Sequence, residues 1–228
     1  MKNTDTRPVL LGIESSGMTC AVGLSQGDNF VDEISAVGKY IHAERLGVFI
    51  EHILNNNDMD SDNIDGIVLS AGPGSFTGLR IGYSIAKGLA HPNNVPLIEI
   101  PTLDVLAHQQ GKNDLMILAV IDALRKELFY AKYSYSSDQF LRVSEYQLNN
   151  IDFLHNVVQD KTMVVGIESE PIRNEITAMF PNKITFSDTN QPSVKSLLKL
   201  GYRRYKSSKF SYLQECEPFY MRKFKGVA

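Results

Sequence analysis

Residues 64–90 read IDGIVLSAGPGSFTGLRIGYSIAKGLA. Ile64–Ser70 is an apolar run bounded by turn formers, which predicts a buried strand. Gly72, Pro73, Gly74, Ser75, Phe76, Thr77 and Gly78 form a glycine loop, and Gly78–Ala90 predicts a helix that carries Leu79 and Arg80 in its first turn. A loop of this kind places backbone N–H groups at a helix N-terminus, a common way to cradle an anion. It lacks the Lys-Ser/Thr pair and the glycine spacing of a Walker A loop. A dinucleotide fingerprint also fits poorly, because Thr77 stands where the third glycine belongs and the strand is the fourth of the chain. The plainer reading is a tight turn that lets the helix lie close to its sheet.

Working outward, three strands precede this unit, at Val9–Ile13, Cys20–Leu24 and Asn29–Val37, joined by short connections rich in turn formers that predict antiparallel neighbours. A helix from about His42 to Leu54 follows, with Leu46, Phe49, Ile50, Ile53 and Leu54 at helical spacing. Val95–Ile100 predicts the next strand. Beyond a short helix near Leu103–Gln109 the pattern begins again, with strands at Leu115–Ile121, Glu127–Tyr135 and Phe140–Gln147, then helix Ile151–Val158, strand Met163–Ile167, helix Pro171–Met179, strand Ile184–Phe186 and helix Ser193–Lys206. The order is βββαβα twice, which predicts an α/β protein of actin-like, ribonuclease-H-like type, in two lobes with mixed sheets flanked by helices. The boundary is expected near Pro101, with residues 1–101 as the first lobe and 102–228 as a smaller second lobe ending in a basic segment.

Composition narrows the function classes. The apolar fraction is 43%, and no run approaches the length of a spanning helix; Val9–Ile13 is too short for a secretion signal, so a cytoplasmic chain is expected. Cys20 and Cys216 have no CxxC or histidine partner at metal spacing and are expected to be buried and reduced. Net charge is −3, unlike an autonomous nucleic-acid binder. The charge is uneven: Arg203, Arg204, Lys206, Lys209, Arg222, Lys223 and Lys225 against Glu215 and Glu217 give +5 over residues 201–228, leaving −8 for the rest. An anionic partner for this segment competes with an ordinary solvated helix face.

Two further patterns bear on function. Gly78, Gly82, Ala86 and Ala90 recur every four residues as a stripe of small side chains, which another backbone can approach closely. With the wide apolar sectors of both helices, this predicts a partner face built from Leu46, Phe49, Ile50, Ile53, Gly78, Leu79, Gly82, Tyr83 and Ala86, which left empty would favour a homodimer. Catalytic constellations are thin. His42, His52, His91, His108 and His155 form no ligand pair, and Glu14 and Asp122, each ending a strand that opens a lobe, are only two of the carboxylates that a two-metal nuclease would need.

Leu11-Gly12-Ile13-Glu14-Ser15-Ser16, His42-Ala43-Glu44-Arg45-Leu46, Ser70 to Ala90, Asp122-Ala123 with Glu127-Leu128-Phe129-Tyr130-Ala131, and Glu217-Pro218-Phe219-Tyr220-Met221-Arg222 together resemble the TsaB (YeaZ) family. The likeness runs in order along nearly the whole chain. It implies an actin-like fold and a noncatalytic subunit that binds TsaD through the N-terminal lobe and works with TsaE. TsaD transfers a threonylcarbamoyl group to the adenosine 3′ of the anticodon in tRNAs that read codons beginning with A. Contact with tRNA through the complex is then expected at Arg203, Arg204 and Lys206. TsaD carries a metal on an HxxxH motif. The corresponding Pro101–His108 segment here has one histidine, so neither metal nor cofactor is expected. The chain departs from several members of that family in having Glu14 for Asp and Leu124-Arg125-Lys126 for an Arg-Met-Gly type of turn. The alternatives are an actin-like small-molecule kinase or ATPase and, more remotely, a metallopeptidase of the kind the older family label glycoprotease suggests.

Overall fold

A computed structural model describes residues 7–137, 139–167 and 169–221. The chain divides into two compact units: one takes in the described residues up to Thr102 together with Pro192–Pro218, the other Leu103–Gln191 and the described residues from Phe219.

In the first unit, β1 (Val9–Glu14), β2 (Thr19–Gln26) and β3 (Asn29–Val37) form an antiparallel meander. Helix α1 (His42–Asn56), strand β4 (Gly66–Gly72), helix α2 (Phe76–Asn93) and strand β5 (Leu97–Pro101) follow. The sheet order is β3-β2-β1-β4-β5, with β4 and β5 parallel to β1. The central strands β1 and β4 are buried along their whole length, whereas β3 at the edge alternates. Val9, Leu11 and Ile13 join Leu46, Phe49, Ile50, Ile53, Tyr83 and Ala86 in one core beneath α1 and α2.

Helix α3 (Thr102–His108) leads into the second unit, where β6 (Met116–Asp122), β7 (Glu127–Ser136), β8 (Gln139–Arg142), β9 (Gln147–Asn150), β10 (Thr162–Ile167), α4 (Glu170–Met179) and β11 (Ile184–Phe186) follow. The order β11-β10-β6-β7-β8 reproduces that of the first sheet strand for strand, with β7 antiparallel to β6 and β10 parallel to it. Both units therefore share the mixed five-strand order of the actin-like fold, to which the second adds β9 as a sixth strand paired with β7. The strand expected over Phe140–Gln147 is two: β8 pairs with the end of β7 and β9 with its beginning. Between them the chain leaves the ladder, and Ser144 Oγ accepts the Lys132 N–H at 2.9 Å in place of a strand partner. The helix expected at Ile151–Val158 is a 3-10 segment, Ile151–Asn156, whose N-cap Asn150 accepts the Asp152 N–H.

The last helix, α5 (Val194–Lys206), corrects the expected boundary. It belongs to the first unit and packs on β1, β2, β4 and β5, so residues 192–218 are not part of the second lobe. Gly12 and Gly23, paired in register across β1 and β2, lie beneath it: a Cβ at Gly12 would stand 2.8 Å from Leu198 Cγ, and one at Gly23 3.1 Å from Val194 and Leu198. Gly201 of α5 in turn rests on Val68. Small residues on both surfaces let helix and sheet close without a gap. No helix among the described residues is long and apolar enough to cross a membrane.

Candidate functional site

Strand β1 ends in a carboxylate that is entirely buried. Glu14 Oε1 accepts the Ser16 N–H at 2.7 Å and the Ser16 hydroxyl at 2.6 Å, and Oε2 accepts the hydroxyl of Ser70 from the neighbouring strand β4. Burial pushes the Glu14 pKa up, and the hydrogen bonds from Ser16 and Ser70 oppose that shift. Cys20, at the start of β2, has its thiol pushed up to about 11 by burial, with the Glu14 charge adding to the effect. Sequence reasoning singled out Glu14 but not Ser70. Ser70 stands on β4, the parallel neighbour of β1, one residue beyond the Ile13–Leu69 pair, and that strand pairing is what brings it to Glu14.

The glycine loop closes onto the same place. Gly72 has φ +103°, a conformation that favours glycine. The Ser75 N–H donates to the Ser16 carbonyl at 2.7 Å, and Ser75 Oγ caps α2 by accepting the Gly78 N–H at 3.2 Å. A Cβ at Gly74 would lie 2.2 Å from Ser16 O, one at Gly78 2.2 Å from Ser15 O, and one at Gly82 2.3 Å from Ser15 Oγ. The glycines thus mark where loop and helix rest directly on the β1–β2 turn. Carbonyl oxygens face them, which repels an anion, so the cradle reading gives way to the close-packing one. Ser75, Phe76, Thr77 and Arg80 are exposed on the other side, with the Arg80 guanidinium 3.9 Å from the centre of the Phe76 ring.

The small-residue stripe and its apolar flanks likewise face inward. Leu46, Phe49, Ile50, Ile53, Gly78, Leu79, Gly82, Tyr83 and Ala86 are all buried within the first unit, so none of them forms an exposed partner face. Helix α1 packs on β2, β3 and α2 at once, and this absorbs a sector wider than one sheet could cover. The outward side carries different residues. Val48 is 40% exposed, Ile81 and Ile85 are half-buried, and a Cβ at Gly47 or Gly88 would meet nothing within 4 Å.

Asp122 ends β6 as Glu14 ends β1, but it is not buried. Its Oδ1 accepts the Leu124 N–H at 2.7 Å and its Oδ2 the Ser169 hydroxyl at 2.7 Å. Leu124, Arg125 and Lys126 all have positive φ, at 64°, 56° and 62°, in the turn between β6 and β7. His108 packs edge-on against Phe140. Among the described residues no three His, Cys, Asp or Glu side chains come together as a metal site.

The basic segment divides. Arg204 turns inward and donates to the Glu99 carbonyl, Arg203 is exposed, and Lys206 lies 4.9 Å from the centre of the Tyr202 ring. Arg222, Lys223 and Lys225, with the last position of the Glu217–Arg222 motif, lie outside the described residues.

A family model described as TsaD, tRNA N6-adenosine threonylcarbamoyltransferase, matches residues 37–202. The chain is similar to the tRNA threonylcarbamoyladenosine biosynthesis protein TsaB of Haemophilus influenzae, at 27% identity over 93% of each chain. It is similar to that of Escherichia coli at 24% over 93% of this chain and 94% of the relative. It matches the Bacillus subtilis protein at 31% over 128 residues, spanning 56% of each. Among solved structures, YeaZ from Pseudomonas aeruginosa superposes with a TM-score of 0.80 at 21% identity, over 94% of this chain and 100% of that one, a likeness of fold.

Proposed function

The chain belongs to the TsaB/YeaZ family, and from that premise we propose that it acts as a noncatalytic partner subunit of tRNA threonylcarbamoyladenosine synthesis. In this reading it pairs with TsaD, with TsaE joining them, and supports transfer of the threonylcarbamoyl group to the adenosine 3′ of the anticodon in the cytoplasm. The observation that carries the noncatalytic part is the Ser15–Ser16 turn. Its carbonyls are covered by Gly74, Gly78 and the Ser75 N–H, and the neighbouring Glu14 is enclosed by serine hydroxyls. A phosphotransferase of this fold needs that turn, and the acid beside it, open to phosphate and metal.

The partner face is assigned to the outward side of α1 and α2, around Gly47, Val48, Ile81, Ile85 and Gly88. A glycine inside an exposed helix destabilises it by about 0.5–1 kcal/mol relative to alanine, and neither Gly47 nor Gly88 has a neighbour in its own chain that requires it. A second chain that approaches the backbone closely supplies the missing reason. The same face permits self-association when the chain is alone.

Depletion of the chain in its native cell, with nucleoside analysis of bulk tRNA, tests the reading. Threonylcarbamoyladenosine should fall and return on re-expression, and the chain should co-elute with TsaD. Unchanged nucleoside content would sink the proposal. Magnesium-dependent ATP turnover by the chain alone, abolished by Asp122→Asn, would instead establish the kinase or ATPase alternative.

A further inference from the structure

Helix α5 buries one face on the first sheet through Val194, Leu197, Leu198 and Gly201. Its opposite face is uniformly basic. Lys195, Lys199, Arg203 and Lys206 are all exposed, and at about 100° per residue they fall within an arc of about 80°. Arg204 lies outside that arc, held against Glu99. The helix contains no acidic residue, and none of the four cations has a carboxylate partner among the described residues. Asp28 lines the same crevice as Lys195 and Lys199 but does not pair with either.

The spacing of these cations works against the helix that carries them. Like charges at i, i+4 (Lys195 with Lys199, Lys199 with Arg203) and at i, i+3 (Arg203 with Lys206) repel. Lys195, in the first turn, also opposes the helix dipole, while Arg203 and Lys206, in the last turn, are favoured by it. Two of the cations are nonetheless held in place, Lys195 with its Nζ 5.4 Å from the centre of the Phe30 ring and Lys206 over Tyr202. An ordered row of uncompensated cations along one helix fits an extended polyanion better than a single small anion.

We propose that the outward face of α5, through Lys195, Lys199, Arg203 and Lys206, is a docking surface for the phosphate backbone of RNA. The proposal rests on the reading of the chain as a tRNA-modification subunit, which is what favours RNA over other polyanions. An anionic bilayer fits less well, because the apolar side of the helix, Val194, Leu197 and Leu198, is already buried on the sheet and is not free to enter the lipid boundary. The surface replaces the expected trio: Arg203 and Lys206 stay, Arg204 leaves, and Lys195 and Lys199 enter.

The test compares the full chain with Lys195→Gln/Lys199→Gln/Arg203→Gln/Lys206→Gln, each mixed with TsaD and titrated with an unmodified tRNA transcript between 50 and 200 mM salt. Lys39→Gln/Lys161→Gln serves as a control for general charge. Four phosphate contacts set a salt slope of about 3, so the quadruple variant should lose about that much slope, and the affinity change across this salt range should shrink by roughly sixty-fold. The control should keep the wild-type slope, and thermal melting confirms that both variants are folded. A folded quadruple variant that assembles with TsaD and keeps the wild-type slope would overturn the proposal while leaving the partner role intact. Failure of the wild-type chain to assemble with TsaD would overturn the partner role instead; the slope comparison on the chain alone then still decides the surface. Binding to phosphatidylserine vesicles that the quadruple variant loses, with no difference toward tRNA, would assign the face to lipid and also overturn the proposal.

Discussion

The backbone N–H of Ser75 donates to the carbonyl oxygen of Ser16 at 2.7 Å, and this one bond ties the start of α2 to the turn between β1 and β2. Gly74 and Gly78 flank it, each with a carbonyl of that turn where a Cβ would stand. The segment that looks most like a ligand loop in the sequence is therefore a clasp within the first unit. Its glycines serve backbone approach, and its oxygens are directed where an anion would have to sit.

The clasp predicts opposite responses at glycines that look alike in sequence. Gly78→Ala sets a methyl 2.2 Å from the Ser15 carbonyl, which cannot rotate away, and should destabilise the chain by about 1–3 kcal/mol. Gly82→Ala meets the Ser15 hydroxyl at 2.3 Å, a group that can turn aside, and should cost less; Gly82→Leu should fail to fold. Gly47→Ala and Gly88→Ala enter open space and should each stabilise the isolated chain by about 0.5–1 kcal/mol. Urea midpoints at constant m-value measure the four alanine variants, and far-UV circular dichroism checks Gly82→Leu. Equal destabilisation at Gly78 and Gly88 would refute the inward orientation of the stripe.

Glu14 gives a pH dependence with a definite sign. Its folded pKa is raised above its ordinary value of 4.5 by burial. The native state therefore holds the proton more tightly than the unfolded chain, and this contribution is complete below about pH 4.5 and lost as pH rises through the folded value. Glu14→Gln keeps an acceptor for Ser16 and offers a donor to Ser70 without a charge to bury. The variant should melt higher than wild type at pH 8, with the difference shrinking toward pH 4.5. A variant that melts lower at pH 8 would show that the ionised carboxylate is stabilising in place.

Much of the fold was legible because it is written in local periodicity. The spacing of Leu46, Phe49, Ile50 and Ile53 defines α1, and the short turns between β1, β2 and β3 predict their antiparallel pairing. What a helical wheel cannot register is how many surfaces a face meets. The wide sector of α1 suggested an external partner, whereas β2, β3 and α2 of the same chain cover it. The return of α5 to the first sheet was hidden for a related reason: Val194, Leu197 and Leu198 announce an amphipathic helix, but nothing local says which sheet holds Gly12 and Gly23 beneath it. Ser70 was overlooked because it meets Glu14 across 56 positions of sequence.

Both thiols should be inert in the folded chain. Cys20 and Cys216 are free and buried, and burial lifts them to about 11 and about 12, aided by the Glu14 charge at Cys20 and the Glu99 charge at Cys216. The thiolate is the reactive form, so a disulfide-exchange reagent at pH 8 should label neither cysteine natively and both in denaturant. Rapid labelling of one thiol in the native chain would show that its side of the unit opens.

The position of α5 makes the sharpest claim about folding. Val194, Leu197 and Leu198 are each no more than 1% exposed, and burying three such side chains contributes about 5–9 kcal/mol, comparable with the whole stability of a domain. Removing the helix would also expose Leu10 and the glycine-floored surface of β1 and β2. A fragment of residues 1–101, a complete lobe by the pattern of elements alone, should therefore lack a cooperative urea transition, and joining residues 192–218 to it through a flexible linker should restore one. Gly201→Ala, which sets a methyl 2.4 Å from Val68 Cγ1, should lower the stability of the full chain by about 1–3 kcal/mol because the β-branched Val68 has little rotamer freedom. If the 1–101 fragment unfolds cooperatively at the midpoint of the intact chain, the sheet does not depend on α5, and the first unit ends where the sequence pattern placed it.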